Sequence, residues 1–261
     1  MVAFINEEAS QFLGGTFGSK AICGMLPLDY ANTLRHRTTG QLLRDAMLEF
    51  GMGLDPDNLK GSIIAPENYY AFIELHIEQG RHLLEKNLPL SVVDAVAGIK
   101  QFYITIHGEA AHAGGMAMQD RHDAMAAAAA IASEVERLAL TASPQTRGTV
   151  GYIEAKPGEH NIIAEKCIVP VDFREADDEK WEKLYTDLMD FTKQQCDKRG
   201  LNWSVHTTCN LKPAHCAPFL IDCMERVACE LNIPYDHMIS YPAHDSMNMS
   251  RILPMGMIFL R

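Results

Sequence analysis

The sequence lacks an excess of positive charge, a long apolar run and paired cysteine motifs, and each absence removes a class of function. The formal net charge is -11 at pH 7, which argues against nucleic acid and anionic membranes as partners. No apolar stretch reaches the roughly 18 residues that a membrane span needs, and no signal-peptide pattern opens the chain. We therefore expect a cytoplasmic protein.

The seven cysteines also argue against a disulfide framework. Their number is odd, and no pair has the two-residue spacing of a zinc knuckle or redox motif. Reduced thiols in a cytosolic protein are the interpretation that this pattern favours, with disulfides or a zinc knuckle as the alternative.

The middle of the chain has the pattern of a small α+β module. Apolar strand patterns and two amphipathic helical patterns follow one another in the order β-α-β-β-α-β, which is the split βαβ, ferredoxin-like plan. We place this module at residues 97–211. The predicted strands are 102–106, 148–155, 162–174 and 201–208, and the predicted helices are 120–140 and 177–199.

The segments on either side of this module have an α/β pattern, so the module is predicted to be inserted into a first domain made of residues 1–96 and 212–261. At 261 residues with 47% hydrophobic content, the chain is long enough for two cores. The predicted strands are 2–5, 70–76 and 255–260. The predicted helices are 42–50, a stretch from about residue 80, and 219–231, and residues 10–24 are predicted to form a loop that turns into a short helix.

A histidine and acids stand at the end of the strand predicted at 70–76. Glu74, His76 and Glu78 follow an apolar run, and a helical pattern begins near Gly80. Open α/β sheets place their chemistry at such strand-to-helix junctions. This stretch is therefore the first candidate for a functional site.

Two adjacent carboxylates end the strand predicted at 2–5. Side chains alternate across a strand, so Glu7 and Glu8 are expected to point in different directions. One of them can then hold a metal ion while the other reaches the water bound to it. The alternative is a solvated strand end.

Six short motifs occur in a fixed order over almost the whole chain, at residues 7–8, 74–80, 111–114, 161–163, 172–174 and 244–245. In this order they resemble M20-type amidohydrolases, in the branch that contains allantoate amidohydrolase, N-carbamoyl-L-amino-acid hydrolase and β-ureidopropionase. The resemblance implies an α/β, zinc-exopeptidase-like metal domain and an inserted ferredoxin-like α+β domain that serves as lid and dimerisation domain.

The resemblance also implies a reaction and its metal site. The expected reaction is hydrolysis of linear amide or ureido C–N bonds in small carbamoyl or ureido acids, with two divalent ions, zinc or manganese. Glu7 resembles the general base for the attacking water, Glu8 a ligand of one metal, and His76 a ligand of the other. Taken alone, His76 also fits a buried core histidine. Glu78 fits either an acid that orients a ligand or one that complements a helix dipole.

Three residues of the inserted module resemble catalytic or substrate-binding groups. His112 resembles a residue that reaches the active site of the partner subunit and stabilises the developing oxyanion, although a plain loop histidine is the alternative. Asn161 and Arg174 resemble substrate-binding residues. The guanidinium of Arg174 can pair bidentately with a substrate carboxylate, but it can equally pair with Asp172 or Glu175.

The last motif, Ala243 and His244, resembles a Gly-His-Asp loop whose backbone and imidazole line the substrate pocket. Ala243 stands where the family has glycine, and Ile99 stands where the family has a glutamine that contacts substrate. A pocket that hydrogen-bonds one substrate discriminates strongly against analogues. These departures therefore bear on the substrate more than on the reaction class.

The expected assembly is a homodimer through the inserted module. The resemblance also predicts that the chain is a fragment, because the family carries a histidine ligand and a bridging aspartate before its Glu-Glu pair, and a last histidine ligand beyond the final strand. Of five ligands only Glu8 and His76 remain, so we expect no dimetal centre and little or no hydrolase activity from these 261 residues. The competing classes are a non-catalytic dimerising relic and a ligand-binding module built on the insert.

Overall fold

The computed structural model describes residues 1–4, 7–8, 11–12, 14–51 and 55–261. The chain divides into two units, one made of Met1–Val96 with Ala214–Arg261 and the other of Ala97–Pro213.

Helices and strands alternate along most of the chain. In order they are α1 (Phe17–Ile22), α2 (Tyr30–Thr33), α3 (Leu43–Phe50), β1 (Phe72–Ile77), α4 (His82–Lys86), β2 (Leu90–Val96), β3 (Gly98–His107), α5 (Ala124–Ala142), β4 (Arg147–Thr149), β5 (Glu154–Lys156), β6 (Lys166–Glu175), α6 (Asp178–Asp197), β7 (Asn202–Leu211), β8 (Ala214–His215), α7 (Pro218–Glu230), β9 (Tyr235–Ser240), α8 (Asp245–Met249) and β10 (Met255–Leu260).

The first unit contains a mixed sheet with the strand order β1-β10-β2-β8, and β9 pairs with β2. Strands β1 and β10 run parallel, with His76 opposite Phe259, whereas β10 and β2 run antiparallel. Helix α7 packs on one face through Leu220 and Met224, which join a cluster with Val92 of the central strand. This sheet fixes the direction of every side chain on β1, including the acids and the histidine of the first candidate site.

The second unit confirms the ferredoxin-like plan. Its antiparallel sheet has the order β4-β6-β3-β7, with β5 also paired to β6, so the two central strands are the first and third of the plan. The core between the sheet and helices α5 and α6 includes Phe102, Ile104, Ile131, Val135 and Leu188, all at most 1% exposed. Burial of this apolar surface is the main driving force for the fold of the unit.

The helix limits follow from capping. The helix predicted from residue 120 begins at Ala124, because the side chain of Asp123 accepts hydrogen bonds from the N–H groups of Met125 and Ala126. The helix predicted from residue 177 begins one residue later, because Asp177 caps it by accepting from the N–H of Lys180. It ends before Gly200, whose positive φ of 64° suits glycine.

The strand predicted at residues 2–5 is wrong for the part that the structure describes. Residues 2–4 have no strand conformation, Val2 is 50% exposed, and Ile5 lies outside the described residues. The aromatic ring of Phe4 instead lies 6.0 Å from the ring of Phe72. Residues 2–4 therefore sit beside β1 without pairing with it, and an apolar run needs a partner strand to become part of a sheet.

Three other predictions also need correction. The single strand predicted at 148–155 is two short strands, β4 and β5. The strand predicted from residue 162 begins at Lys166, because Ile162 forms an isolated bridge with His112. Residues 90–96, for which we predicted no strand, form the buried strand β2, which lies within the first sheet. Ser10 and Leu13 of the loop predicted at 10–24 lie outside the described residues.

Two histidines without a motif make ion-pair contacts in the first unit. The ring nitrogens of His237 lie 2.7 Å from a carboxylate oxygen of Asp94 and 2.7 Å from one of Glu225, so the imidazole links β2, β9 and α7. The hydrogen bond with Asp94 and the nearby charge of Glu225 raise the pKa of His237 above its ordinary value. The ring of His82 contacts Asp236 in the same way. Both histidines therefore have structural contacts within the first unit.

In the part of the chain that the structure describes, no helix combines the length and the apolar character that crossing a bilayer requires. The longest helix, α6, carries acids and lysines along its exposed side.

Candidate functional site

His76 lies near the end of β1, with its ring held by the neighbouring backbone. Its Nδ1 is 2.8 Å from the carbonyl oxygen of Ile77. A carbonyl only accepts, so Nδ1 carries the proton and the lone pair of a neutral ring lies on Nε2. A histidine whose one nitrogen is fixed in this way presents the other as a metal ligand.

His244 begins α8 and is 1% exposed. Its Nε2 lies 2.7 Å from the hydroxyl of Ser240. Among the described residues, Nδ1 has no hydrogen-bond partner, although carboxylate oxygens of Glu7 and Glu74 each lie 4.0 Å away. Burial and the charge of His76 lower the pKa of His244 to about 3. The imidazole is therefore neutral at physiological pH, and its buried Nδ1 has no hydrogen-bond partner in the described part of the chain.

Glu7 and Glu8 occupy a turn and point in different directions. Glu7 faces the two histidines, whereas the exposed Glu8 accepts a hydrogen bond of 2.9 Å from the side-chain amide of Gln79. The two side chains thus point in different directions as expected, but the cause is a turn and not the alternation of a strand. The structure brings Glu7, not Glu8, to His76 and His244.

Glu7, His76 and His244 form a group of potential metal donors. One ligand atom from each lies within 4.8 Å of the others, and the two imidazole rings lie 4.5 Å apart, edge to face. Glu7 and His76 of this group line a pocket of about 990 Å³, together with Phe4, Phe72 and Asp245. Among the described residues, these are the three potential metal donors that the fold brings close together.

Negative charge is concentrated around this group. Burial, the adjacent Glu8 and Asp245 raise the pKa of Glu7 above its ordinary value. Burial is also the main cause of the raised pKa values of Glu74 and Asp245. Buried carboxylates that lie close together favour a bound cation, since a cation offsets both their mutual repulsion and their desolvation.

The donor set fits a divalent cation. Two neutral imidazoles and one carboxylate are the three protein ligands typical of catalytic zinc, which keeps a further position for water. The buried Nδ1 of His244, unpartnered among the described residues, is the observation that favours this fit, because an unsatisfied buried polar atom is costly. His244 was predicted only as a substrate-binding residue, and its neighbour Ala243 is half-buried beside it.

Sequence reasoning included Glu74 in the first candidate stretch but assigned it no role. Its side chain is on the same face of β1 as His76, and its Oε2 accepts the N–H of Ser246 at 2.7 Å. The alternation of strand residues was the available signal, because it places residues two apart on one face. Glu78 instead accepts the N–H groups of His82 and Leu83, each at 2.8 Å. It therefore caps α4, which was one of its two predicted roles.

In the second unit, the structure brings the His112 and Asn161 loops together. The N–H of Ala113 donates to the carbonyl of Asn161 at 2.8 Å, and His112 forms a bridge with Ile162. The exposed His112 accepts the N–H of Gly114 at Nδ1, at 3.1 Å. That bond places the proton of a neutral ring on Nε2, so Nε2 is available as a donor to an oxyanion. The role of His112 at a developing oxyanion stays a prediction.

Arg174 lies on β6 of the second unit and pairs with Asp172. Its Nε and Nη2 each lie 3.0 Å from one carboxylate oxygen of Asp172, and Gln101 donates to the same carboxylate at 2.6 Å. Burial opposes ionisation of Asp172, but these two hydrogen bonds lower its pKa overall. The guanidinium thus pairs with Asp172, which is the alternative that the sequence analysis gave for Arg174. Its substrate role stays a prediction.

Part of the chain matches a known domain family. Residues 95–199 match the family described as the peptidase dimerisation domain of the M20 group. This match covers nearly all of the second unit up to the end of α6.

Relatives and solved structures match over almost the whole chain. An N-carbamoyl-L-amino-acid amidohydrolase of Pseudomonas sp. is 34% identical over 100% of this chain and 63% of its own length. Allantoate deiminase 1 of Glycine max is 27% identical over 100% of this chain and 59% of its own length. The crystal structure of an amidase of the hydantoinase/carbamoylase family from Burkholderia multivorans matches with a TM-score of 0.85 and 26% identity, over 98% of this chain and 61% of that one.

The chain therefore spans about 60% of the length of these relatives. The motifs, the sheet order of the second unit and the matches agree with one another. The chain is similar over its whole length to amidohydrolases named for N-carbamoyl amino acids and allantoate, and residues 95–199 match the M20 peptidase dimerisation domain.

Proposed function

We propose that the protein takes part in the hydrolysis of a linear amide or ureido C–N bond in a small carbamoyl or ureido acid, with a divalent cation held by Glu7, His76 and His244. The observation that carries this proposal is the group that these three side chains form, two of which, Glu7 and His76, line a pocket of about 990 Å³. The names of the relatives support the substrate class.

Each residue of the site has a role in this proposal. His76 offers Nε2 and His244 offers Nδ1 as nitrogen donors, and Glu7 supplies a carboxylate that also accepts the proton of the attacking water. A divalent cation bound there lowers the pKa of water and polarises the scissile carbonyl. His112 donates from Nε2 to the developing oxyanion, and Asn161 and Arg174 bind the substrate. Glu8 keeps its role as ligand of a second ion only in the dimetal centre that the resemblance implies for the complete family enzyme.

The direct test is an assay with a panel of ureido acids. N-carbamoyl-L-amino acids, allantoate and ureidoglycolate are incubated with the protein and added Zn²⁺ or Mn²⁺, and release of ammonia and free amine is followed. The proposal requires turnover of one class that is abolished by a chelator, because the cation supplies the electrophile, whereas no turnover at any metal concentration would agree with the low activity expected from the sequence. Turnover that persists in excess chelator would contradict metal dependence.

A second candidate function is a dimerising or ligand-binding role without catalysis. The described residues provide a single group of three potential metal donors. A dimetal centre needs more protein ligands than that, which favours this candidate. Tight binding of a ureido acid without turnover, at any metal concentration, would support this candidate.

We also propose that the protein is a homodimer through its second unit. The match of residues 95–199 to a dimerisation domain supports this assembly, and β7 is an edge strand with many exposed residues. Edge strands pair readily with other chains. Light scattering at micromolar concentration is expected to give twice the 29.0 kDa of the chain, and a monomeric mass would contradict the proposal.

A further inference from the structure

Glu74 lies at the centre of the candidate site, although no motif assigned it a role there. It is on β1, two residues before His76, and its side chain is 11% exposed. Strand residues two apart share a face. Glu74 and His76 therefore project to the same side of the sheet, towards the start of α8.

The carboxylate of Glu74 connects β1 to the segment that carries His244. Its Oε2 accepts the N–H of Ser246 at 2.7 Å, and Ser246 follows His244 by two residues. Its Oε1 lies 4.0 Å from Nδ1 of His244. One oxygen thus fixes the backbone of this segment, and the other faces the imidazole.

The orientation of His244 leaves Nδ1 facing the acids. The hydroxyl of Ser240 contacts Nε2 at 2.7 Å, so Nδ1 points to the other side of the ring, towards Glu7 and Glu74. It is buried and has no hydrogen-bond partner among the described residues. This is the nitrogen that the proposed function assigns to a cation.

We propose that Glu74 is a positioning residue for the metal site. Its hydrogen bond to Ser246 holds the His244 segment against the strand that carries His76, and its negative charge favours a cation at Nδ1 of His244. The inference rests on the proposed function, because it concerns the same cation, and it adds a residue that does not itself belong to the group of three donors.

The test uses Co²⁺ alone as the probe, with binding measured by calorimetry and by the visible absorption of the bound ion. Two variants separate the two contributions of Glu74. In Glu74→Gln the amide oxygen still accepts the N–H of Ser246, but the charge is lost. In Glu74→Ala both are lost. Glu78→Gln is the matched control, because it removes the same charge from the same strand-to-helix junction at a residue that caps α4.

We expect Glu74→Gln to melt near the wild-type temperature and to bind Co²⁺ about tenfold or more weakly, since a carboxylate a few ångströms from a partly buried cation attracts it strongly. Glu74→Ala should bind still more weakly and melt at a lower temperature. Glu78→Gln should bind Co²⁺ as the wild type does.

The outcomes separate this inference from the proposed function. If the wild type and Glu74→Gln bind Co²⁺ equally, with the same absorption spectrum, Glu74 has only a structural role and the inference is wrong while the metal site stands. If the wild type binds no Co²⁺, the proposed function fails and the inference fails with it. If Glu78→Gln weakens binding as much as Glu74→Gln, the effect is general surface charge and the inference is wrong.

Discussion

Replacing His76 with alanine is expected to weaken Co²⁺ or Zn²⁺ binding by about a hundredfold or more and to abolish any metal-dependent turnover. The variant leaves two of three protein donors, and zinc sites need about three protein ligands for stable binding. The contact of Nδ1 with the carbonyl of Ile77 makes this histidine a preorganised ligand, so its loss costs more than that of a mobile side chain. Calorimetry with each ion measures the effect.

The matched control for this variant is His82→Ala. His82 belongs to the same unit and contacts Asp236, but it is not a member of the group of three donors. It should leave metal affinity unchanged. Wild-type affinity in His76→Ala, or an equal loss in His82→Ala, would contradict the assignment of His76.

Replacing Arg174 with alanine should lower kcat/KM for a ureido or carbamoyl acid by about tenfold to a thousandfold. A charge-assisted bidentate pair with a substrate carboxylate contributes roughly 1.5–4 kcal/mol. Because Arg174 pairs with Asp172 in the structure, a substrate carboxylate must share the guanidinium with Asp172 or displace Asp172 from it. Steady-state kinetics on the best substrate of the panel measure the effect.

Two further variants show whether the effect is specific to the guanidinium fork. Arg174→Lys keeps the charge but not the fork, so it should restore little of the lost activity. Arg147→Ala removes the guanidinium that lies opposite Arg174 in the sheet register, and it should change kcat/KM much less. Unchanged kinetics in Arg174→Ala would contradict the substrate-binding role of Arg174 and leave only its structural contact with Asp172.

Much of the fold could be predicted from the sequence because the apolar residues that define the helix and strand patterns are also the residues buried in the structure. The apolar run that predicts the last strand matches β10, Met255–Leu260, in both limits, and the stripe with Ile131 and Val135 is buried in α5 as its period predicts. Strand β2 was missed because a strand buried on both faces does not alternate apolar and polar residues. No change in the hydrophobic pattern marks the point where the helical segment predicted from about residue 80 gives way to this strand.

The site could be predicted only in part, because its geometry depends on contacts distant in sequence. His76 was identified from its motif. The position of His244 next to it depends on the pairing of β1 with β10 and on the bond from Ser246 to Glu74, across 172 residues. The choice between Glu7 and Glu8 depends on a turn that places one acid by the histidines and the other by Gln79. Neither feature has a local signal.

Anomalous diffraction from crystals grown with Zn²⁺ is the decisive measurement for the metal site, because it locates the ion without relying on activity. We expect an anomalous peak between the carboxylate of Glu7, Nε2 of His76 and Nδ1 of His244. Crystals that contain Zn²⁺ at other positions, with no peak among these three side chains, would contradict it.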